Sequence, residues 1–419
     1  MQNRSVNFMA AVNTISTLDG LFKEVYGAGA VNLLPDFAIL SRKIPFRPSE
    51  RIGEGWAIPV KLQHEHGFTY GASGDGAFTL NASVAGKIAK AIVNSTQIVL
   101  KSQMDYESAF KAASGGKQAF QDASQAMVEN MMESFAKRQE LAFLYGGVGL
   151  GKVDSITSVG AGAEDIVLTD ATWAAGIWVG MVNCPLDAYD GSTKKNANAD
   201  IIITAVDVAS KQISVSGNVT DLAAVAAGQD LFFKGAYGKE ANGIDKLLTN
   251  SGSLYGIDAA TYELWRSTSY NVSGSISMDK VQEAASQAVA LGLKEDVMCL
   301  MSPKNWTVLN NELMALRSLD SSYKADNFKN GAEGIEYHGV SGKVEIVAHP
   351  FVKDGEAFIL PVKRCKRVGS TDITFRRPGN PNSFYREIDG SAGFELRAYS
   401  DQQLFNEAPG MSVKLTGIT

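Results

Sequence analysis

Two short stretches hold residue types whose spacing could do chemistry. In "FLYGGVGLGKVDSI", residues 143–156, Gly146, Gly151 and Lys152 follow the G-x-x-x-x-G-K pattern in which backbone N–H groups and a lysine cradle nucleotide phosphates. Such a loop needs a strand before it, a Ser or Thr after the lysine to hold Mg²⁺, and a helix starting there. Here Val153 follows Lys152, and "VDSITSV" is short and β-branched. In "HEH", His64 and His66 would lie on one side of a strand and could converge on a metal, but Glu65 would point to the other side and no third ligand is near. No G-x-S-x-G turn occurs, and no carboxylate pair stands out in an apolar setting. His349, in "VAHPF", reads as a core histidine bonded to a backbone carbonyl. The expectation is that the chain is not an enzyme and has no catalytic residues, no cofactor and no metal. A P-loop-like or metal-dependent enzyme is the remote alternative.

What surrounds the glycines supports this. Residues 117–144 place Phe120, Ala123, Met127, Met131 and Phe135 three and four apart, the spacing of one helix face, and Glu133 and Lys137 add an i,i+4 pair. The glycines therefore follow a long helix, where their ordinary work is to end it in a left-handed cap and reverse the chain.

At 419 residues the chain predicts two or three modules. Its 45% hydrophobic and 20% charged content is ordinary for a folded protein. No apolar run has the length of a membrane span, and the first residues lack the pattern of a secretion signal, so synthesis in a cytosol without export is expected. Cys184, Cys299 and Cys365 are scattered, with no C-x-x-C pair, against a disulfide framework or a zinc site. A net charge of −6 argues against gripping nucleic acid by its phosphates. Lys363, Arg364, Lys366 and Arg367 form a local exception, read as a solvated or subunit-bridging cluster.

Along the chain, residues 1–50 read as an arm. Residues 51–84 alternate on either side of a glycine tip, "YGASGDGAF", with Trp56, Ile58 and Val60 before it and Phe78 and Leu80 after, the pattern of a two-stranded ribbon. A return strand follows, to about residue 100. From 153 to 270, Val, Ile, Thr, Gly and Asn dominate, predicting a β-rich module. After 277, "SMDKVQEAASQAVALGL" opens with Ser277 as a helix cap, "VMCLMS" is an apolar strand, and Pro303 opens a second helix. These make an α/β unit running to about 400. An isolated hairpin is marginal in water. The ribbon is therefore expected to lie on a neighbouring copy of the chain, through Trp56, Ile58, Val60, Phe68, Tyr70, Phe78 and Leu80.

This order of arm, extended loop, long helix and late α/β domain resembles the major capsid proteins of tailed bacteriophages with the Hong Kong 97-type fold. So do "NSGSLYGIDAATYELWRS", "MSPKNWTVLNNEL", and "KVEIVAHPFVKDGEAFILP" with "RVGSTDITFRRPG" after it. The resemblance spans nearly the whole chain. It implies an α+β fold: extended loop at 51–100, peripheral domain with a spine helix at 101–152, β-rich inserted domain at 153–270, axial α/β domain at 271–400, and a segment at 401–419 returning to the peripheral domain. It also implies a structural protein of the virion, assembled in the bacterial host cytoplasm into hexamers and pentamers that close an icosahedral shell. The implied partners are other copies of the chain, a separate scaffolding protein, a portal, a decoration or cement protein, and packaged double-stranded DNA held by weak non-specific contact. No membrane is involved. A virion decoration protein or adhesin is the competing reading.

Overall fold

The computed structural model describes residues 38–47, 55–74, 76–105, 121–318, 335–339, 342–376, 385–388 and 393–419. The arm before residue 38 and the helix start at 117–120, Phe120 included, lie outside these residues.

A short helix, α1 (Ile39–Lys43), is followed by strands β1 (Trp56–Gln63), β2 (Lys87–Val93) and β3 (Thr96–Asp105), and then by α2 (Gln121–Tyr145). Met131 and Phe135 of α2 are buried against Ile98, Leu100, Leu396 and Ala398, so the spacing read from the sequence does mark a packed face. The helix stops at the glycines as expected. Gly146 N–H still donates to Ala142 O (2.9 Å), and Gly147 takes φ +81°, a left-handed position suited to glycine.

Seven antiparallel strands come next; besides the two-residue strand Thr193–Lys194, which pairs with the strand before it, they are β4 (Gly151–Gly160), β5 (Ala163–Leu168), β6 (Pro185–Asp190), β7 (Ile201–Asp207), β8 (Gln212–Ser216) and β9 (Asp230–Phe233). They pair in the order β9-β4-β5-β8-β7-β6, and β9 also pairs with β6, so the sheet closes on itself and leaves no long open edge. Alternate residues such as Ile166, Leu168, Ile201, Ile203, Ile213 and Val215 fill the interior. The β-rich composition thus becomes a barrel spanning Gly151–Phe233, shorter than 153–270. Its interior is continuous with Leu141, Phe143 and Tyr145 of α2 and with Leu300, Phe358 and Leu404. A piece cut at residue 160 would lose β4 and open the ring.

Helix α3 (Ile244–Thr249) leads out of the barrel. Then come β10 (Thr268–Gly274), α4 (Met278–Ala290), β11 (Val297–Met301), α5 (Pro303–Ser318), β12 (Ile335–Gly339), β13 (Gly342–Ala348), β14 (Ala357–Leu360), β15 (Cys365–Thr374), β16 (Tyr385–Glu387), β17 (Gly393–Asn406) and β18 (Val413–Ile418). Ser277 caps α4 by accepting from Lys280 N–H (3.4 Å), and Pro303 is the first residue of α5, both as the sequence predicts.

Six of these strands form a mixed sheet in the order β10-β18-β14-β11-β13-β12. Central β11, "VMCLM", is buried on both faces, which is why it reads as an unbroken apolar run. Val297, Cys299 and Met301 pack beneath α4 and α5, whereas Met298 and Leu300 point into the core shared with the barrel. The remaining sheet centres on β17, which pairs with β3 along one side and with β15 and β16 along the other.

Two boundaries therefore differ from expectation. The described residues between 365 and 406 stand with β3 and α2, not with the α/β sheet, and the final strand 413–418 enters the α/β sheet between β10 and β14. Strand pairing is set by contacts distant in sequence, which element order cannot reveal.

Candidate subunit-interface site

Strand β1 pairs with β2, with Trp56 opposite Val93, Ile58 opposite Ala91 and Val60 opposite Ala89. This corrects the ribbon: the partner strand is Lys87–Val93, not the segment holding Phe78 and Leu80. Small side chains across the register leave room for Trp56, Ile58, Val60 and Leu62 to pack on Ile257, Trp265, Val368 and Phe405 of the same chain. The Trp56 ring sits edge-on to Phe405, with centroids 5.3 Å apart. The apolar face of β1 is thus partly covered by the same chain.

Between Gln63 and Lys87 the chain runs out as a loop. His66 and Val84 exchange backbone hydrogen bonds (2.9 and 2.6 Å), and Asn81 donates to Phe68 O and Thr69 Oγ1 (2.9 and 2.8 Å). The Phe78 ring lies against Gly71, where an added Cβ would come within 2.6 Å of it. Four of the seven expected interface residues are here and face solvent: Phe68 is 70% exposed, Tyr70 90%, Leu80 74% and Phe78 49%. Ile88 and Ile92 extend this apolar face onto the outer side of β2. Large apolar side chains this exposed, grouped on one loop, are uncommon on an isolated folded chain.

A second feature, which the sequence did not reveal, is buried around α1. Glu140 of α2, fully buried, accepts from the backbone N–H of Leu40 and Ser41 and from Ser41 Oγ (2.7 Å), at the N-terminal end of α1. At the other end, Arg367 Nη1 donates to Ser41 O (3.0 Å) and Ile44 O (3.4 Å), its charge balanced by Asp372. Burial lowers the Arg367 pKa, with Asp372 and Glu140 opposing. His349 completes this arrangement: its Nδ1 accepts from Phe351 N–H (3.1 Å), so Nε2 carries the proton and donates to Glu140 Oε1 (3.2 Å). Its acceptor is thus a carboxylate, not the expected carbonyl, because α2 brings Glu140 beside a loop more than two hundred positions away.

The basic cluster is also resolved within the chain. Arg364 pairs with Glu295, Lys363 with Asp296, Lys366 with Glu407 and Arg367 with Asp372. The segment turns through a short 3-10 helix before β15, which spreads the four charges among different acids.

Neither chemical motif assembles into a site. The glycines of 146–151 join a preceding helix to a following strand, the reverse of a phosphate loop, and Lys152 lies 3.7 Å from Asp230. His64 and His66 are exposed, and among the described residues no group of three His, Cys, Asp or Glu side chains could hold a metal.

No protein-family model and no curated protein matches the sequence. Solved structures do match the fold. The capsid asymmetric unit of cyanophage A-1(L) is 13% identical, with 97% of this chain and 99% of that chain covered and a TM-score of 0.56. The capsid of the native GTA particle is 8% identical, with 98% and 100% covered and a TM-score of 0.51. Its empty form gives 8% identity, the same coverage and a TM-score of 0.50. The described residues have the Hong Kong 97-like capsid fold.

Proposed function

We propose that this chain is the major capsid protein of a tailed bacteriophage, assembling with copies of itself into an icosahedral shell around double-stranded DNA. The observation that carries the reading is the exposed apolar loop 64–86 on a chain of which 97% is covered by the match to a capsid structure. Burying apolar surface is worth roughly 25 cal/mol per Å², so a contact of standard size, roughly 800 Å² per partner, outweighs a substantial association cost. Each subunit gives one loop and receives another, and ring closure multiplies the contact. The acidic net charge of −6 suits a wall that holds DNA only weakly. A separate scaffolding protein, a portal and a decoration protein would complete the particle, built in the bacterial cytoplasm and retained in the virion.

Replacing residues 64–86 by a tight turn between β1 and β2 tests this. The deletion starts beyond Leu62, which belongs to the subunit's own core. The full-length chain should give closed shells or hexamer sheets by electron microscopy, and the deleted one folded subunits that do not assemble. Normal shells from the deleted chain, or only monomers from the full chain, would overturn the reading.

A further inference from the structure

A cleft of about 420 Å³ lies between β3, α2 and the chain that leaves the barrel after β9. Its floor is one face of α2, with Phe135, Arg138 and Ala142 at helical spacing. One wall is β3, where Gln97, Ile98, Val99 and Leu100 all line the space. Side chains of a strand alternate between faces, so four consecutive residues on a wall mean that the strand's edge is turned towards the cleft. Among the described residues β3 pairs with β17 alone, which leaves the outward N–H groups of its other edge without a strand partner. Opposite stand Phe233, Lys234, Lys239 and Glu240. The Arg138 guanidinium lies over the Phe233 ring, 3.2 Å from its centroid, and among the described residues its one hydrogen bond runs from Nη2 to Cys184 Sγ (3.7 Å). A thiol sulfur is a weak acceptor, so most of the five N–H donors of this side chain are unused.

We infer that the cleft binds a small organic monocarboxylate, with the carboxylate on Arg138 and an apolar body against Phe135, Ile98 and Leu100. The volume falls in the range of small-molecule sites, roughly 300–1,000 Å³, which are mostly apolar with a few polar groups that fix orientation. The sign of the charge follows from the walls. Lys234 is paired with Asp200 (2.7 Å), so Arg138 and the exposed Lys239 are two cations facing a single carboxyl, Glu240. Glu240 already accepts from Gly147 N–H (3.3 Å), and burial raises its pKa against the opposing effects of that bond and of Arg138 and Lys246, which weakens it as a counter-ion. Burial lowers the Arg138 pKa, with Cys184 and Glu240 opposing. An arginine keeps its proton in a folded protein, so a desolvated guanidinium short of acceptors is relieved by an anion rather than by deprotonation. Its planar fork matches the two oxygens of a carboxylate, and the N–H groups on the β3 edge supply further donors. The apolar share of the lining favours a carboxylate on a hydrocarbon body over a bare inorganic anion. Such a molecule would touch helix, strand and barrel at once.

The probe is 2-naphthoate, compared with 2-naphthylmethanol, which keeps the rings and lacks the charge. Isothermal titration into the purified full-length chain should give saturable 2-naphthoate binding, and the alcohol should bind at least about tenfold more weakly, as loss of a charge-assisted pair predicts. Hydrogen exchange should slow at 97–100 and 233–240 when the carboxylate is bound. Arg138→Met, checked for folding by circular dichroism, should bind the two compounds alike. Absence of saturable 2-naphthoate binding overturns the proposal, as does equal affinity for the two compounds in the parent chain or protection confined to other segments. A folded Arg138→Met chain that keeps the preference overturns it too. If that variant does not fold, the compound pair and the exchange map on the parent chain still decide.

Discussion

Glu140 and Arg367 hold opposite ends of one five-residue helix, the carboxylate on the N–H groups of Leu40 and Ser41 and the guanidinium on the carbonyls of Ser41 and Ile44. Each charge has the sign that a helix end attracts, and each satisfies backbone groups that so short a helix cannot pair internally. The start of the described chain is thereby fixed between the long helix and the sheet around β17.

Glu140→Ala would leave those N–H groups and the His349 Nε2–H buried without an acceptor. The expected loss is about 3–5 kcal/mol in guanidinium unfolding, the range for orphaning partners of a buried charge. A loss below about 1 kcal/mol would show that water or a rearranged arm replaces the carboxylate.

The two halves of the ribbon should respond differently to substitution. Trp56→Ala should destabilise the isolated subunit by about 2 kcal/mol, less than a fully buried tryptophan, because its ring packs on Phe405 while only partly buried. Tyr70→Ser, at 90% exposure, should change subunit stability by less than about 0.5 kcal/mol yet weaken assembly. Equal effects of both on subunit melting would contradict the division.

Gly146 and Lys152 can be separated in the same way. A Cβ at Gly146 would lie 1.9 Å from Ala241 O and 2.5 Å from Ala142 O, so Gly146→Ala must move backbone and should lower Tm by several degrees. Lys152→Ala removes only a half-exposed partner of Asp230 and should cost less than about 1 kcal/mol. ATP titrations should show no saturable binding to either protein. Micromolar binding lost in Lys152→Ala would restore the phosphate-loop reading.

Thiol labelling should single out Cys184. Burial pushes the Cys299 and Cys365 thiols up to about 12, which leaves almost no thiolate at neutral pH, whereas Cys184 is partly accessible. A native chain with a maleimide or a disulfide reagent at pH 8 should modify Cys184 rapidly and the other two only on unfolding. Fast modification of all three would mean that the core opens readily.

Burial, with Arg138 beside it, lowers the Lys137 pKa to about 8, against a weaker opposing effect of Cys184. The unfolded chain keeps that proton up to its ordinary 10.5. Between these values the unfolded state binds more protons, so this residue makes stability rise with pH; below about 8 both states are protonated and it adds no slope. Chemical denaturation at pH 7.5 and 9.5 should show a smaller gain with pH in Lys137→Met than in the parent chain. Identical gains would place the slope elsewhere.

Periodicity, caps and glycine punctuation act over a few residues, and they were legible. The face of Met131 and Phe135, the stop after Tyr145, the Ser277 cap and the doubly buried strand 297–301 all follow from local rules, and the order of elements was enough to suggest the fold. What remained hidden depends on residues far apart in the chain. The Trp56–Gln63 pattern states that one face is apolar but not whether Phe405 or a neighbouring copy covers it. Nothing near Glu140 announces His349 or Leu40, and nothing near Arg138 announces Phe233. Strand β18 could have joined either sheet by its own pattern, and only the space between β10 and β14 selects one. A side chain's type and spacing set which face it occupies; what meets that face is decided by the packing of the whole chain.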